Sequence, residues 1–266
     1  MKNIDYLNKI INDNTSGSFE ILQKINEYLK KNYSDTKLIK KSLITIKSKL
    51  TGFEAVTNYI NELDKIISCG NELAVKNFLE EFNARSKDIF YKIYLNLKPL
   101  ITNKHNIFTL SNSQTVFEII KCLRKDNANI AVTVAESRPM LEGRILAKKI
   151  LRLGIKVRYV MDCQIASEIS KCDILLLGAD MFLYNKNAVN KIGSKNAAII
   201  AAYYSKPVYI VASENKFSKK KKFIEEPKNS DEIWRFKEKN LTVENFYFEV
   251  VPRKHINKII TEKRIY

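Results

Sequence analysis

Histidine and cysteine are scarce in this chain of 266 residues, which has two histidines and four cysteines. The cysteines show no Cys-x-x-Cys spacing, so a zinc site built from Cys and His side chains is not expected. We interpret the four thiols as buried and free, which is usual in a reducing compartment. The sequence therefore predicts no metal site.

Long apolar runs are missing as well. No stretch approaches the roughly 20 apolar residues that a membrane-spanning helix needs. The opening residues, Met1–Tyr6, lack the apolar core of a signal peptide. We therefore expect a cytoplasmic protein that has no membrane partner.

Three motifs that indicate common chemistries are also absent. The chain has neither the dinucleotide fingerprint GxGxxG nor a Walker A loop, so binding of NAD or ATP in the usual manner is not expected. It also lacks the GxSxG elbow of many esterases. The sequence thus predicts no resident cofactor.

Positive charge is in excess, because 46 Lys and Arg residues against 29 Asp and Glu residues give a net charge of +17. Such a charge suits nucleic acid, an acidic protein or an anionic small molecule as the partner. The densest cluster is Lys219–Lys222, but no aromatic-basic RNA-binding signature and no DNA-reading helix accompany it. We therefore do not expect nucleic acid to be the partner.

Helical periodicity dominates the first hundred residues, which contain a single proline, Pro99. Apolar residues recur three or four positions apart, as they do in amphipathic helices. Ser18 can cap one helix, and Asn71 can cap a long helix that runs toward Leu95. Residues 1–100 are therefore predicted to form an all-helical N-terminal domain.

After Pro99, short apolar runs alternate with amphipathic segments. This alternation predicts parallel βαβ units, and strands that are apolar throughout should be covered on both faces. The predicted strands are 107–110, 130–134, 157–161, 174–177 and 208–211. We thus predict an α/β protein in which residues 101–266 form a Rossmann-like C-terminal domain with a mostly parallel sheet.

Polar groups follow several of these strands. Asp180 comes after a buried apolar run, and ligands of open α/β sheets bind at the carboxyl ends of the strands. The other groups are the polar turn Ser111–Thr115, Arg138, Asn190 with Lys191, and Lys216. The backbone N–H groups of a polar turn at a helix N-terminus can bind phosphate, and arginine can bind phosphate through two hydrogen bonds. The pattern favours a site for a phosphorylated sugar.

Each of these groups also has an ordinary structural explanation. Ser111 or Ser113 could cap a helix, and Arg138 could pair with a neighbouring carboxylate. Asp180 could cap a turn, and Lys216 could be a surface lysine. Because the groups recur at one predicted sheet edge, we favour the binding site over these alternatives.

Several segments together resemble one known family. They are 135–139 with Glu142–Arg144, Gly178–Asp180, Asn190–Gly193, Ala212–Phe217, and the terminal stretches 245–252 and 259–262. They resemble the family of the translation initiation factor 2B alpha, beta and delta subunits. That family also contains isomerases acting on ribose 1,5-bisphosphate and 5-methylthioribose 1-phosphate. The resemblance is strong over roughly residues 105–266 and looser before them.

The resemblance implies a helical N-terminal domain, a Rossmann-like C-terminal domain and dimers formed through the latter. It also implies how the isomerases work, with a cysteine as base and an aspartate as partner acid. The aspartate corresponds to Asp180, but Ser111 occupies the cysteine position. A thiol titrates at about 8.5, whereas serine is a very poor base without a helper.

Further substrate-binding positions are implied by the same resemblance. Lys47 stands where the isomerases have an arginine, and it keeps the charge but loses the planar fork. Ser16 and Gly17 stand in place of an Arg-Gly-rich loop. The remaining positions are Ser113, Gln114, Thr115, Asn190, Lys191 and Lys216.

Two functions are compatible with these residues. The leading one is a regulatory or binding protein similar to the alpha subunit, with a pocket for a phosphorylated sugar or a nucleotide. Its partner would be a second copy, a sibling subunit or an initiation factor 2 subunit. The alternative is a ribose 1,5-bisphosphate isomerase that forms ribulose 1,5-bisphosphate with Asp180 as proton donor. Either function requires Ser111 and Asp180 to share a positively charged crevice.

Overall fold

The computed structural model describes residues 2–13, 16–101 and 104–266 of the chain. Up to residue 101, the described residues form six α-helices. They are α1 (Lys2–Ile11), α2 (Ser18–Lys31), α3 (Thr36–Lys49), α4 (Glu54–Ser68), α5 (Glu72–Glu80) and α6 (Phe82–Leu97). Their apolar stripes meet in one cluster, in which Ile21, Ile25, Leu29 and Ile46 are fully buried.

Two helix boundaries differ from the predicted ones. Asn71 does cap a helix, because its side chain accepts a hydrogen bond from the N–H of Ala74 at 2.9 Å. That helix ends at Glu80, however, and α6 begins two residues later, so the predicted long helix is two helices. Gly17, rather than Ser18, is the N-cap of α2. Ser18 is therefore left free to contact the α/β part of the molecule.

The α/β part is built on a six-stranded sheet whose order is β3-β2-β1-β4-β7-β9. The strands are β1 (Lys104–Leu110), β2 (Asn129–Ala135), β3 (Lys156–Val160), β4 (Ile174–Leu177), β7 (Val208–Val211) and β9 (Lys258–Ile260). Every pairing between them is parallel. The helices that cross between strands are α7 (Gln114–Lys125), α8 (Glu142–Leu151), α9 (Ile165–Ile169) and α10 (Ser194–Tyr203). The predicted fold class, helices followed by a mostly parallel α/β sheet, is confirmed.

The order of the strands reverses direction at β1. From β1 the chain builds outward to β2 and β3, and it then returns to place β4 on the other side of β1. The carboxyl ends of β1 and β4 therefore flank the crevice at which such sheets bind ligands. Ser111 directly follows β1 and Asp180 follows β4.

A small antiparallel sheet stands beside this crevice. Its order is β5-β6-β8, with β5 (Met181–Phe182), β6 (Ala188–Lys191) and β8 (Phe248–Val251). Asn190 and Lys191 were expected after a strand, but they lie within β6 and pair with Glu249 and Phe248. The correction follows from a pairing between segments about sixty residues apart, which local periodicity does not reveal.

The apolar core does not divide cleanly at residue 100. The side chains of Ile93, Tyr94 and Leu97 from α6 pack in the same cluster as those of β1, β2 and α7. The side chain of Asn96 also donates to the carbonyl of Thr261 at 2.8 Å. The domain limits at residues 1–100 and 101–266 stay a prediction. None of the helices in the described ranges combines the length and hydropathy that a bilayer crossing needs.

Candidate functional site: an interdomain cleft at the sheet edge

Two connected hollows lie between the helical part and the carboxyl edge of the sheet. The outer cleft is lined by Asp13, Lys49, Phe53, Ser111, Glu142, Asp180, Lys191, Tyr247 and neighbouring residues. The inner cavity is lined by Gly17–Phe19, Leu110–Thr115, Gly178–Asp180, Asn190 and Lys216. Ser111 and Asp180 line both hollows, so the structure brings the two expected chemical groups to one place.

Asp180 sits where the inner cavity meets the outer cleft. Its backbone N–H donates to the carbonyl of Val189 at 2.9 Å, which fixes the loop between β4 and β5. Burial raises the pKa of the Asp180 carboxyl above its ordinary value. The Lys216 ammonium, a hydrogen bond from Ser18 and the Lys191 ammonium partly oppose this rise. The net effect is a raised pKa, so burial favours the neutral form of the carboxyl.

Lys216 is a buried cation rather than a surface lysine, with only 9% of the residue exposed. It ends a short 3-10 helix, Glu214–Lys216, that follows β7. Its Nζ donates to the Ser18 hydroxyl at 3.2 Å and to the carbonyl of Ala179. Burial lowers the pKa of the ammonium, and the Asp180 carboxylate opposes that change. Because an ammonium has three N–H donors, one donor remains for a ligand.

Lys191 forms an ion pair with a second carboxylate. Its Nζ donates to Glu142 Oε1 at 2.6 Å, and both residues are under one-tenth exposed. The same ammonium lies 4.6 Å from the centroid of the Tyr247 ring. Burial raises the pKa of Glu142, although Lys191 pulls it down, and Glu142 Oε2 has no hydrogen-bond partner. The sequence places Glu142 in a family motif but indicates no role for its side chain.

The loop that carries Ser111 has an unusual backbone. Ser111 has a φ of 63°, a left-handed conformation that is uncommon outside glycine. Its N–H donates to the Ser137 hydroxyl at 2.7 Å, and the N–H groups of Ser137 and Arg138 both donate to the Asp162 carboxylate. This network fixes the Ser111 backbone at the end of β1. Among the described residues, neither hollow has a cysteine or histidine in its lining that could act as a base.

The N-termini of two helices converge on the inner cavity. Ser113 caps α7, because its hydroxyl accepts the N–H of Val116 at 3.4 Å. Gly178 must be glycine here, because a Cβ would lie 2.3 Å from the Ser113 hydroxyl oxygen. Gln114 and Thr115 complete this wall, and the Gln114 amide also donates to Glu118 at 3.0 Å. The N–H groups of a first helical turn favour an anion.

The second helix is α2, which begins at the N-cap Gly17 and has no side-chain cap. A Cβ on Gly17 would lie 2.9 Å from the carbonyl oxygen of Asn112, so glycine allows the helical part to approach the sheet edge closely. The Ser16 hydroxyl donates to Asp13 at 2.7 Å, in the wall of the outer cleft. Thr15, from the same loop, lies outside the described residues.

Two of the implied binding residues lie elsewhere. The Lys47 side chain is exposed and donates to Asn61 at 2.9 Å. Arg138 is exposed and lines neither hollow. The Asn190 amide lines the inner cavity, but it donates to the Ser194 hydroxyl at 2.9 Å. Lys49, two residues after Lys47, lines the outer cleft instead.

The charge of the outer cleft is mixed, which differs from the expected positive crevice. Its lining includes the lysines Lys49, Lys191 and Lys228 and the carboxylates Asp13, Glu142, Asp180 and Glu226. Aromatic side chains form much of the remaining wall, with the rings of Phe53 and Phe248 in edge contact at 5.7 Å. Within the part of the chain that the structure describes, no three His, Cys, Asp or Glu side chains gather to hold a metal.

The sequence of this chain matches a known protein family and several known proteins. Residues 3–265 match the sequence profile of the initiation factor 2 subunit family. A ribose 1,5-bisphosphate isomerase of Methanocaldococcus jannaschii is 33% identical over 168 residues, which are 61% of this chain and 54% of that protein. An eIF-2B subunit 2-like protein of Pyrococcus furiosus is 31% identical over 71% of this chain and 67% of its own length. The chain thus aligns with about half the length of the isomerase.

Solved structures share the fold over nearly the whole chain. The translation initiation factor eIF-2B of Pyrococcus horikoshii superposes with a TM-score of 0.84 at 22% identity, covering 99% of this chain and 96% of that one. A tetrameric eIF2B-beta2-delta2 complex from C. thermophilum gives a TM-score of 0.78 at 17% identity, covering 98% of this chain and 90% of that one. At these identities the likeness concerns the fold alone. The sequence match, which covers almost every residue, shows that this chain belongs to the initiation factor 2 subunit family.

Proposed function

We propose that this chain is a regulatory, ligand-binding protein of the alpha-subunit type that holds a phosphorylated sugar between its helical part and its sheet. The observation that carries the proposal is the inner cavity. There the N-termini of α2 and α7 converge beside the buried ammonium of Lys216. We place the phosphate in this cavity and the sugar in the outer cleft, next to Ser111 and Asp180.

The charges of the inner cavity support this orientation. Two helix N-termini contribute partial positive charge, and Lys216 adds an ammonium with one unused N–H. Hydroxyls of Ser113 and Thr115 line the same space and can donate to phosphate oxygens. Because Ser18 belongs to the helical part and Lys216 to the α/β part, a bound phosphate would join the two parts.

The absence of a thiol from the described lining favours binding over catalysis. Aldose–ketose conversion needs a base that removes the proton from C2 of the open sugar. Ser111 has no histidine or free carboxylate bonded to its hydroxyl in the described contacts, and serine alone is a very poor base. Asp180, whose pKa is raised by burial, could supply a proton, whereas Ser111 stands at the position of the cysteine that acts as base in the isomerases.

Isothermal titration with ribose 5-phosphate tests the binding proposal. We expect saturable binding by the wild-type chain and at least a tenfold loss in Lys216→Met, since a charge-assisted hydrogen bond contributes about 1.5–3 kcal/mol. Lys171→Met, which removes a surface partner of Glu168 far from the cleft, should bind as the wild type does. No binding by the wild type at millimolar ribose 5-phosphate would sink the proposal.

An isomerase is the second candidate function. The observation in its favour is the relative from Methanocaldococcus jannaschii, which is named as a ribose 1,5-bisphosphate isomerase and is 33% identical. The test is incubation with ribose 1,5-bisphosphate and detection of ribulose 1,5-bisphosphate. Turnover that Asp180→Asn abolishes would establish the enzyme and overturn the binding-protein proposal.

The proposed partners are a second copy of the chain, a sibling subunit and an initiation factor 2 subunit. The structural likeness to a tetrameric eIF2B-beta2-delta2 complex supports an assembly of this kind. Light scattering coupled to size-exclusion chromatography measures directly whether two copies of the chain associate. A mass equal to one chain, 30.8 kDa, at micromolar concentration would exclude the homodimer.

A further inference from the structure

The floor of the outer cleft contains a closed ion pair, Lys191 with Glu142. The two side chains are 4% and 10% exposed, and they meet at 2.6 Å. The Tyr247 ring covers the ammonium at 4.6 Å, and the Tyr247 hydroxyl is held by Glu232 at 2.6 Å. The pair is therefore fixed in place by contacts on several sides.

This pairing removes the attraction that Lys191 would exert on an anion. A phosphate oxygen that approaches Lys191 also approaches Glu142, and the two Coulomb terms nearly cancel at similar distances. Asp180 adds a further carboxylate to the same floor. Glu142 Oε2 has no hydrogen-bond partner, so this atom lacks a donor, which a sugar hydroxyl can supply and a phosphate dianion cannot.

The other charged groups of the outer cleft add little attraction for a phosphate. The ammonium of Lys228 bonds to Glu226 at 3.2 Å, and Asp13 pairs with Lys24. Lys49 is exposed at the rim. Part of the lining is aromatic and apolar, because the rings of Phe53 and Phe248 meet there. The outer cleft thus suits an uncharged, hydroxylated or apolar end of a ligand.

We propose that Glu142 is a specificity-determining residue that limits the ligand to a single phosphate. This inference rests on the proposed function, in which the inner cavity takes that phosphate. A second phosphate at the far end of the sugar would meet the Glu142 and Asp180 carboxylates. The ligand class is therefore a sugar monophosphate, and a sugar bisphosphate is disfavoured.

The test compares ribose 5-phosphate with ribulose 1,5-bisphosphate by isothermal titration. The wild type should bind ribose 5-phosphate at least tenfold more tightly. Glu142→Gln frees the Lys191 ammonium and removes one repelling charge, so the ratio of the two affinities should move about tenfold or more toward the bisphosphate. Glu168→Gln is the matched control, because Glu168 is also a buried carboxylate paired with cations but lies outside both hollows.

Folding of the variants is checked by thermal unfolding, since Glu142→Gln leaves a buried ammonium unpaired. The double variant Glu142→Gln/Lys191→Met removes both charges, and it should lose the discrimination without gaining attraction for the bisphosphate. Equal wild-type affinities, or a ratio that Glu142→Gln leaves unchanged, would overturn the inference while the proposed function stands. A wild type that binds neither compound would overturn both.

Discussion

Replacing Lys216 with methionine perturbs the site at its most buried cation. The ammonium is 9% exposed, donates to Ser18 and Ala179, and lies in the field of the Asp180 carboxylate. Lys216 and Asp180 interact through their charges without a direct ion pair, so the loss should be smaller than the roughly 3–5 kcal/mol of a broken buried ion pair. We therefore expect Lys216→Met to lower the free energy of unfolding by about 1–3 kcal/mol.

A second substitution separates this charge effect from lost packing. In Lys216→Met/Asp180→Asn the uncompensated carboxylate is gone, so the double variant should be more stable than Lys216→Met by about 1–3 kcal/mol. Burial shifts the pKa of each group in the direction that favours its neutral form, so keeping either group ionised opposes folding. The two buried charges of this site therefore lower the stability of the fold.

Urea unfolding followed by circular dichroism measures these differences. Lys171→Met controls for loss of a lysine, and its exposed ion pair with Glu168 should contribute no more than about 1 kcal/mol. If the double variant loses the sum of the two single losses, to within about 0.5 kcal/mol, the two groups are independent and the reasoning is refuted.

Three further predictions concern other parts of the molecule. Burial raises the pKa of Glu142 above its ordinary 4.5 in the folded state. This group therefore stabilises the fold below about pH 4.5, and the contribution is lost as pH rises through the folded pKa. The melting temperature of Glu142→Gln should lack this decline with pH, and a pH profile identical to that of the wild type would contradict the prediction. Gly178→Ala should lower the free energy of unfolding, measured with urea, by about 1–3 kcal/mol, because a Cβ would lie 2.3 Å from the Ser113 hydroxyl oxygen. A loss under about 0.5 kcal/mol would contradict this close contact. The four thiols were expected to be buried, but Cys69 and Cys163 are exposed. Cys163 should react with a thiol reagent in the folded protein, whereas the buried Cys172, with its pKa raised by burial, should react only on unfolding.

Five of the six parallel strands were predictable because each contains a short apolar run, whereas β9 was not predicted. β3 is an edge strand with Lys156, Arg158 and Tyr159 exposed, so it is not covered on both faces. The run 174–177 is buried along its whole length, as its composition implied, and β4 occupies those residues. The placement of Ser111 and Asp180 followed from the same pattern, since parallel strands end at one edge. Their chemical roles stay predictions.

Other features depend on contacts that no local pattern contains. The pairing of β6 with β8 joins Asn190 to Glu249, although α10 and β7 lie between these two strands in the sequence. Without that pairing, neither the burial of Lys191 nor its contact with Tyr247 could be foreseen. The same holds for the charge balance of the outer cleft, because Glu142 reaches Lys191 from another element.

A crystal structure of the wild-type chain with ribose 5-phosphate tests the central claim most directly. We predict phosphate density in the inner cavity, with an oxygen about 2.7–3.2 Å from Lys216 Nζ or from an N–H of the first turn of α2 or α7. The sugar should then extend toward Asp180 and Ser111. Phosphate bound at Lys191 or outside both hollows, or an empty cavity at saturating ribose 5-phosphate, would contradict the account.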